Sequence, residues 1–94
     1  MSKSLISNER KCLVCGQYNN LHKHHCIYGA GRRKLSEKYG LWVYLCPKHH
    51  NMSNAGVHYD KALDLKVKQL AQNAFENHVG ARDEFIKVFG RNYL

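Results

Sequence analysis

Acidic residues are scarce in this chain, proline occurs once, and no apolar stretch is long. Asp and Glu together number seven against fifteen Lys and Arg, which leaves a formal charge of +8 over 94 residues. That imbalance points to a polyanionic partner, nucleic acid first; a merely solubilising surface is the plainer alternative. No apolar run approaches the roughly twenty residues that span a bilayer, so no membrane segment is expected. Met1-Ser2-Lys3-Ser4-Leu5-Ile6 lacks the apolar centre of a secretory signal, so the expected compartment is the reducing cytoplasm. In that compartment paired cysteines bind metal more often than they form disulfides. Pro47 stands alone, and with no repeat, low-complexity stretch or linker, residues 1–94 read as one domain.

The apolar share of 44% excludes a disordered chain. A domain of this length still buries only a modest core, so a structural metal would help it appreciably. Residues 1–11 read as a polar lead-in. Leu21 to Tyr28 is tolerant of β structure and ends at the turn-prone Gly29-Ala30-Gly31. Leu41-Trp42-Val43-Tyr44-Leu45, between Gly40 and Pro47, fits a strand. Pro47 suits the first turn of a short helix carrying His49 and His50 and fading near Gly56. The remainder is helical in pattern. Asp60 is an N-cap candidate, and Leu63, Val67, Leu70, Ala71, Ala74 and Phe75 form one stripe. After Gly80, Asp83 and Glu84 open a second helix that Gly90 closes. Knuckle, strand, loop, strand, short helix and two further helices make an α+β domain.

Two residues separate Cys12 from Cys15, and two separate Cys46 from His49. Zinc takes four soft or borderline ligands in a tetrahedron, and these two short turns supply a Cys₃His set for a structural ion. A redox Cys-x-x-Cys would need a βαβ setting that is missing and would leave Cys46 and His49 unexplained. Cys26, the odd cysteine, reads as a small buried hydrophobe.

Histidine is the other unusual component. His24 and His25 are adjacent on a strand and so face opposite sides; one can ligate a metal while its neighbour meets a water or a phosphate. His50 follows His49 and is rotated about 100° around the helix, away from the zinc set. His58, beyond Gly56, could return to the same ion. His22, Lys23 and His78 read as a solvated face. Arg32, Arg33 and Lys34 form a basic loop between the strands, placed to grip backbone phosphates, with Lys38, Lys48 and Arg91 extending the surface; a basic run is equally often only a solvated loop.

Cys-x₂-Cys, then His24-His25, then a strand ending Leu45-Cys46-Pro47-Lys48-His49-His50 resembles the HNH endonucleases. More narrowly, the chain resembles phage recombination-associated HNH nucleases with a zinc knuckle pair. His24-His25-Cys26-Ile27-Tyr28-Gly29-Ala30-Gly31-Arg32-Arg33 and the closing residues 82–94 carry the narrower likeness. The resemblance spans roughly residues 12–94. It implies a ββα-metal core (12–58) stapled by the structural zinc, with two C-terminal helices over 60–94.

Residue by residue, the resemblance implies that His24 binds a catalytic ion, His25 acts as general base, and His50 is a further ligand. His58 completes the set, with Asn54 as its alternative. The ion expected is magnesium or manganese, with zinc or nickel the alternatives that an imidazole-rich set suits. The implied reaction is hydrolysis of DNA with little sequence preference, leaving a 5′-phosphate and a 3′-hydroxyl, in the cytosol of a bacterium or phage-infected host. A recombinase filament or another recombination protein is a possible partner. The chain departs from the family at Leu41, where the motif's asparagine would help orient the base. That departure keeps a second reading open, a zinc-stabilised binding module or recombination adaptor without catalysis.

Overall fold

A computed structural model describes residues 4–7, 9–29, 31–50 and 60–94. In chain order the elements are strand β1 (His22–His25), helix α1 (Arg32–Tyr39), strand β2 (Trp42–Leu45), and helices α2 (Pro47–His50), α3 (Lys61–His78) and α4 (Arg82–Phe89). The two strands pair antiparallel, with His22 opposite Leu45, Lys23 opposite Tyr44, His24 opposite Val43 and His25 opposite Trp42. Because side chains alternate along a strand, His22 and His24 share a face with Val43 and Leu45. Lys23 and His25 share the other with Trp42 and Tyr44. The short α2 lies against both strands.

The largest departure from the sequence reading is α1. The segment from Arg32 to Lys34, expected as a basic loop, is the first turn of an eight-residue helix. Arg, Lys, Leu and Glu are strong helix formers. Gly31 and Gly40 flank the helix at φ 78° and 71°, the left-handed conformation that glycine adopts without steric cost. The helix escapes a periodicity search because little of it faces inward: Leu35 and Tyr39 are half-buried and Ser36 is fully buried. Ser36 docks the helix, its hydroxyl donating to the Ile27 carbonyl while accepting from the Ile27 N–H.

Helix α3 follows its stripe closely. The Asp60 carboxylate accepts from the N–H groups of Ala62 and Leu63 at 3.0 and 3.1 Å, satisfying two otherwise orphaned donors. Val67, Ala71, Ala74 and Phe75 are buried. Phe75 meets Phe85 and Phe89 of α4 and Tyr39 of α1, with ring centroids 5.4 to 6.2 Å apart. Edge-to-face contacts of this kind add to the area that the rings bury. Gly90 ends α4 in the left-handed conformation, as its position after Phe89 predicts.

The first and last described segments are both tied in. Leu5 N–H donates to the Gly40 carbonyl at 2.8 Å, and Leu5 and Ile6 pack on the core, so the lead-in is less polar in its role than in its composition. At the other end the buried Gln72 accepts from Tyr93 N–H at 2.7 Å and donates to Asn92, holding the C-terminal residues along α3. Among the described residues no helix is long and apolar enough to cross a membrane.

Candidate metal centre

The loop carrying Cys12 and Cys15 closes on itself. Gly16 N–H donates to the Cys12 carbonyl at 2.9 Å, and Cys12 N–H to the Gln17 carbonyl at 2.8 Å. Leu13 N–H then donates to the Tyr44 carbonyl, seating the loop beside β2. Cys46 follows β2 directly, and its carbonyl accepts from His49 and His50 N–H in the single turn of α2. These two supports bring Cys12, Cys15, Cys46 and His49 together, with one ligand atom of each within 4.8 Å of the others. The Cys15 and Cys46 sulfurs are 3.7 Å apart, and His49 Nδ1 lies 3.2 Å from Cys46 Sγ and 3.8 Å from Cys12 Sγ. Ligands of one tetrahedral zinc, at about 2.3 Å for sulfur and 2.0–2.1 Å for nitrogen, are spaced by roughly 3.4–3.8 Å. The cluster could therefore hold a structural zinc, and its donor chemistry fits that ion.

Electrostatics favour one thiolate before any ion arrives. Burial alone would push the Cys12 thiol up. The backbone N–H groups of Cys15, Cys46 and Val14 outweigh it and bring Cys12 down to about 6. Cys46 moves the other way, because burial and the neighbouring Cys15 and Cys12 disfavour a second negative charge there. Cys26 is fully buried, and burial followed by the nearby Asp64 carboxylate drives its thiol far above the usual range. It is buried packing, the small hydrophobe expected of the odd cysteine.

His49 and His50, consecutive in sequence, point to different neighbourhoods. His49 joins the thiols; His50 reaches the hairpin. Its ring lies 5.4 Å from that of His24 and 5.1 Å from that of His22, both edge-on, and its Nδ1 is 3.0 Å from His22 Nδ1. His24 is 3% exposed and also meets Tyr28 at 5.8 Å. The Tyr28 hydroxyl donates to Asp64 Oδ1 at 3.0 Å, and burial together with the Asp64 charge pushes Tyr28 up to about 12. His22 thus belongs to this group rather than to a solvated face. The alternation that separates His24 from His25 also puts His22 beside His24, so the signal was present in the sequence.

His25 stands on the opposite sheet face. Its Nε2 is 3.0 Å from Glu37 Oε1, and Lys23 Nζ grips both Glu37 oxygens at 2.8 and 3.0 Å. Lys23 also lies 4.2 Å from the centre of the Trp42 ring, so it too is engaged rather than solvated. Glu37 was not legible beforehand, because only the helical form of α1 turns it toward β1. Leu41 is fully buried in the core.

His58 and Asn54 lie outside the described residues. Among the described residues the Cys₃His set is the single group of three or more ligand atoms that converge within 4.8 Å; the hairpin imidazoles meet in pairs. Of the basic residues, Arg32 donates from Nε to the Phe89 carbonyl at 3.0 Å and so ties α1 to the end of α4. Arg33 and Lys34 are exposed. Comparisons with protein-family models, curated proteins and solved structures found no match for this chain.

Proposed function

We propose that this protein is an HNH-type endonuclease of the ββα-metal kind, hydrolysing DNA phosphodiester bonds with the help of a divalent ion. The observation that carries the reading is the divergence of His49 and His50. One turn of α2 sends the first imidazole into a zinc-type thiol cluster and the second against His24 on the hairpin. Support comes also from the antiparallel pairing of β1 with β2, which α1 separates in the chain, and from α2 following β2.

Each residue has a task under this proposal. His24 and His50 would hold the catalytic ion, with His58 as the further ligand that the family pattern suggests. When bound, a divalent ion stabilises charge on the phosphate and on the departing oxygen. His25 takes the proton from the attacking water, and an imidazole is suited to that transfer near neutral pH. Glu37 supports the assignment. A carboxylate accepting from Nε2–H fixes the tautomer and leaves Nδ1 to receive the proton, a division of labour familiar from other base–carboxylate pairs. Glu37 thereby supplies the orientation that Leu41 cannot.

Arg33 and Lys34, with the overall charge of +8, supply contacts to phosphates that position DNA without reading its sequence. The wider setting, phage-type recombination or DNA processing beside a recombinase, belongs to the same proposal.

Nicking of supercoiled plasmid tests it. Protein carrying one zinc and otherwise free of metal is supplied in turn with magnesium, manganese, nickel or zinc. Cutting with at least one ion, lost in His25→Ala while DNA binding and zinc content persist, is expected. Equal cutting by His25→Ala would remove the assigned base. The second reading, a zinc-stabilised module or adaptor that binds nucleic acid without cutting it, is favoured by Leu41 in the core and by imidazoles that meet only in pairs. Salt-sensitive DNA binding with no nicking under any ion would establish it instead.

A further inference from the structure

His22 has no part in the family pattern, yet its Nδ1 lies 3.0 Å from His50 Nδ1. We infer that His22 is itself a ligand of the hairpin ion, so that the site holds a borderline transition ion such as zinc, nickel or cobalt through His22 and His50, with His24 beside them. This rests on the reading of the hairpin as a metal site and names its ligands and its metal class.

Three observations carry the inference. The Nδ1 atoms of His22 and His50 are 3.0 Å apart. Two nitrogens bound to one ion at about 2.0–2.1 Å are spaced by roughly 2.8–3.0 Å in a right-angled pair and roughly 3.3–3.4 Å in a tetrahedral one. Either ring nitrogen of histidine can ligate. Second, β1 aims His22 and His24 from one face, two residues apart, so both rings flank His50 at 5.1 and 5.4 Å. Third, α2 is held independently of this site, since His49 and Cys46 anchor it in the thiol cluster. His50 is thus presented by a braced turn, and His22 by a strand hydrogen-bonded to β2. A pair of imidazoles sharing one proton has the same spacing as a pair sharing one ion, so the deciding quantity is the ion.

Imidazole donors also sort the candidate metals. Magnesium prefers oxygen and keeps its waters, whereas zinc, nickel and cobalt bind imidazole well. A site built on His22 and His50 selects against magnesium.

The full-length protein, with one zinc in the thiol cluster, is titrated with cobalt(II) by calorimetry and visible absorption. Wild type is expected to bind one further ion, with His22→Gln weakening that binding at least tenfold and altering the cobalt spectrum while the thiol-bound zinc stays at one per chain. Wild-type affinity and spectrum in His22→Gln would overturn the inference, as would failure of wild type to bind a second ion. Should His22→Gln fold poorly, the ¹⁵N resonance of His22 Nδ1 in wild type answers the same question. Zinc added beyond the first equivalent must move that resonance, and an unmoved signal overturns the inference. Plasmid nicking is recorded in parallel. Cutting that survives with cobalt affinity independent of His22 would sink the ligand assignment and leave the nuclease reading standing. An ion bound through His22 without cutting under any metal supports the ligand assignment and sinks the nuclease.

Discussion

The two ligand clusters differ in kind although they share the turn of α2. Around Cys12, Cys15, Cys46 and His49, four donor atoms lie at the spacings of a closed tetrahedron and are buttressed by backbone hydrogen bonds. Around His22, His24 and His50, the rings of His22 and His24 each meet that of His50 edge to face, with no carboxylate or thiolate among the three. Structural zinc sites are closed and use soft donors, and catalytic ones keep positions open for water and substrate. The contrast teaches that one short turn can present one imidazole to a closed, zinc-type donor set and the next to an open group of rings. Serine at Cys46 should break the first and damage everything else. A structural zinc contributes apparent binding energy on the order of 10–16 kcal/mol in small domains, so Cys46→Ser is expected to lose zinc and cooperative melting together. Unchanged zinc content and melting temperature would show that the thiol cluster is not structural.

A finer cut uses the neighbouring histidines. His49→Ala should lower zinc content and the melting temperature. His50→Ala should keep both, within about 1 kcal/mol of stability, while abolishing any second-ion binding and nicking. If the two variants behaved alike, the separation of roles along α2 would be lost.

Thiol chemistry sharpens the same division. In zinc-loaded protein a maleimide should label little; after chelation at neutral pH, Cys12, Cys15 and Cys46 should become reactive and be found by mass spectrometry. Cys26 should stay unlabelled until the chain unfolds, because burial holds its thiol far above the usual range. Since Cys12 is drawn down to about 6, its thiolate persists above that pH in the metal-free protein. Zinc uptake should therefore weaken as pH falls through about 6, where protons compete for the sulfur. Uptake that strengthened on acidification would contradict the backbone N–H contacts proposed to stabilise that thiolate.

Smaller effects fall outside both clusters. Glu37→Gln, read by plasmid nicking, is expected to slow cutting by roughly 10–100-fold, the size of a general-base contribution only partly lost, with zinc content and ion affinity unchanged. Asp60→Ala should cost about 1 kcal/mol through the lost α3 cap and leave metal content untouched in a thermal melt with elemental analysis. A change in metal content would link α3 to the centres more tightly than the fold suggests.

How much of this was readable in advance varies by element. Helix α3 announced itself through Asp60 and a six-residue apolar stripe. The thiol cluster announced itself through two Cys/His pairs at two-residue gaps. Helix α1 did not, because a helix that buries only Ser36 completely and half-buries Leu35 and Tyr39 leaves almost no periodic trace. Its basic start then read as a loop. Missing α1 meant missing Glu37, which meets His25 only when the helix folds back beside the strand. His22 was misjudged for another reason: it was weighed as a single polar side chain, although its parity with His24 already assigned it a face.

Local chemistry determined the ligand types, the positions of most elements and the opposite facing of His24 and His25, because spacing and alternation act within a few residues of chain. The meeting of His50 with His22 and His24, the carboxylate behind His25 and the hydrogen bond from Arg32 to the end of α4 were decided only by tertiary structure. Those contacts join residues 12 to 57 positions apart, and they exist only once the hairpin, α1 and α2 have packed around a common core.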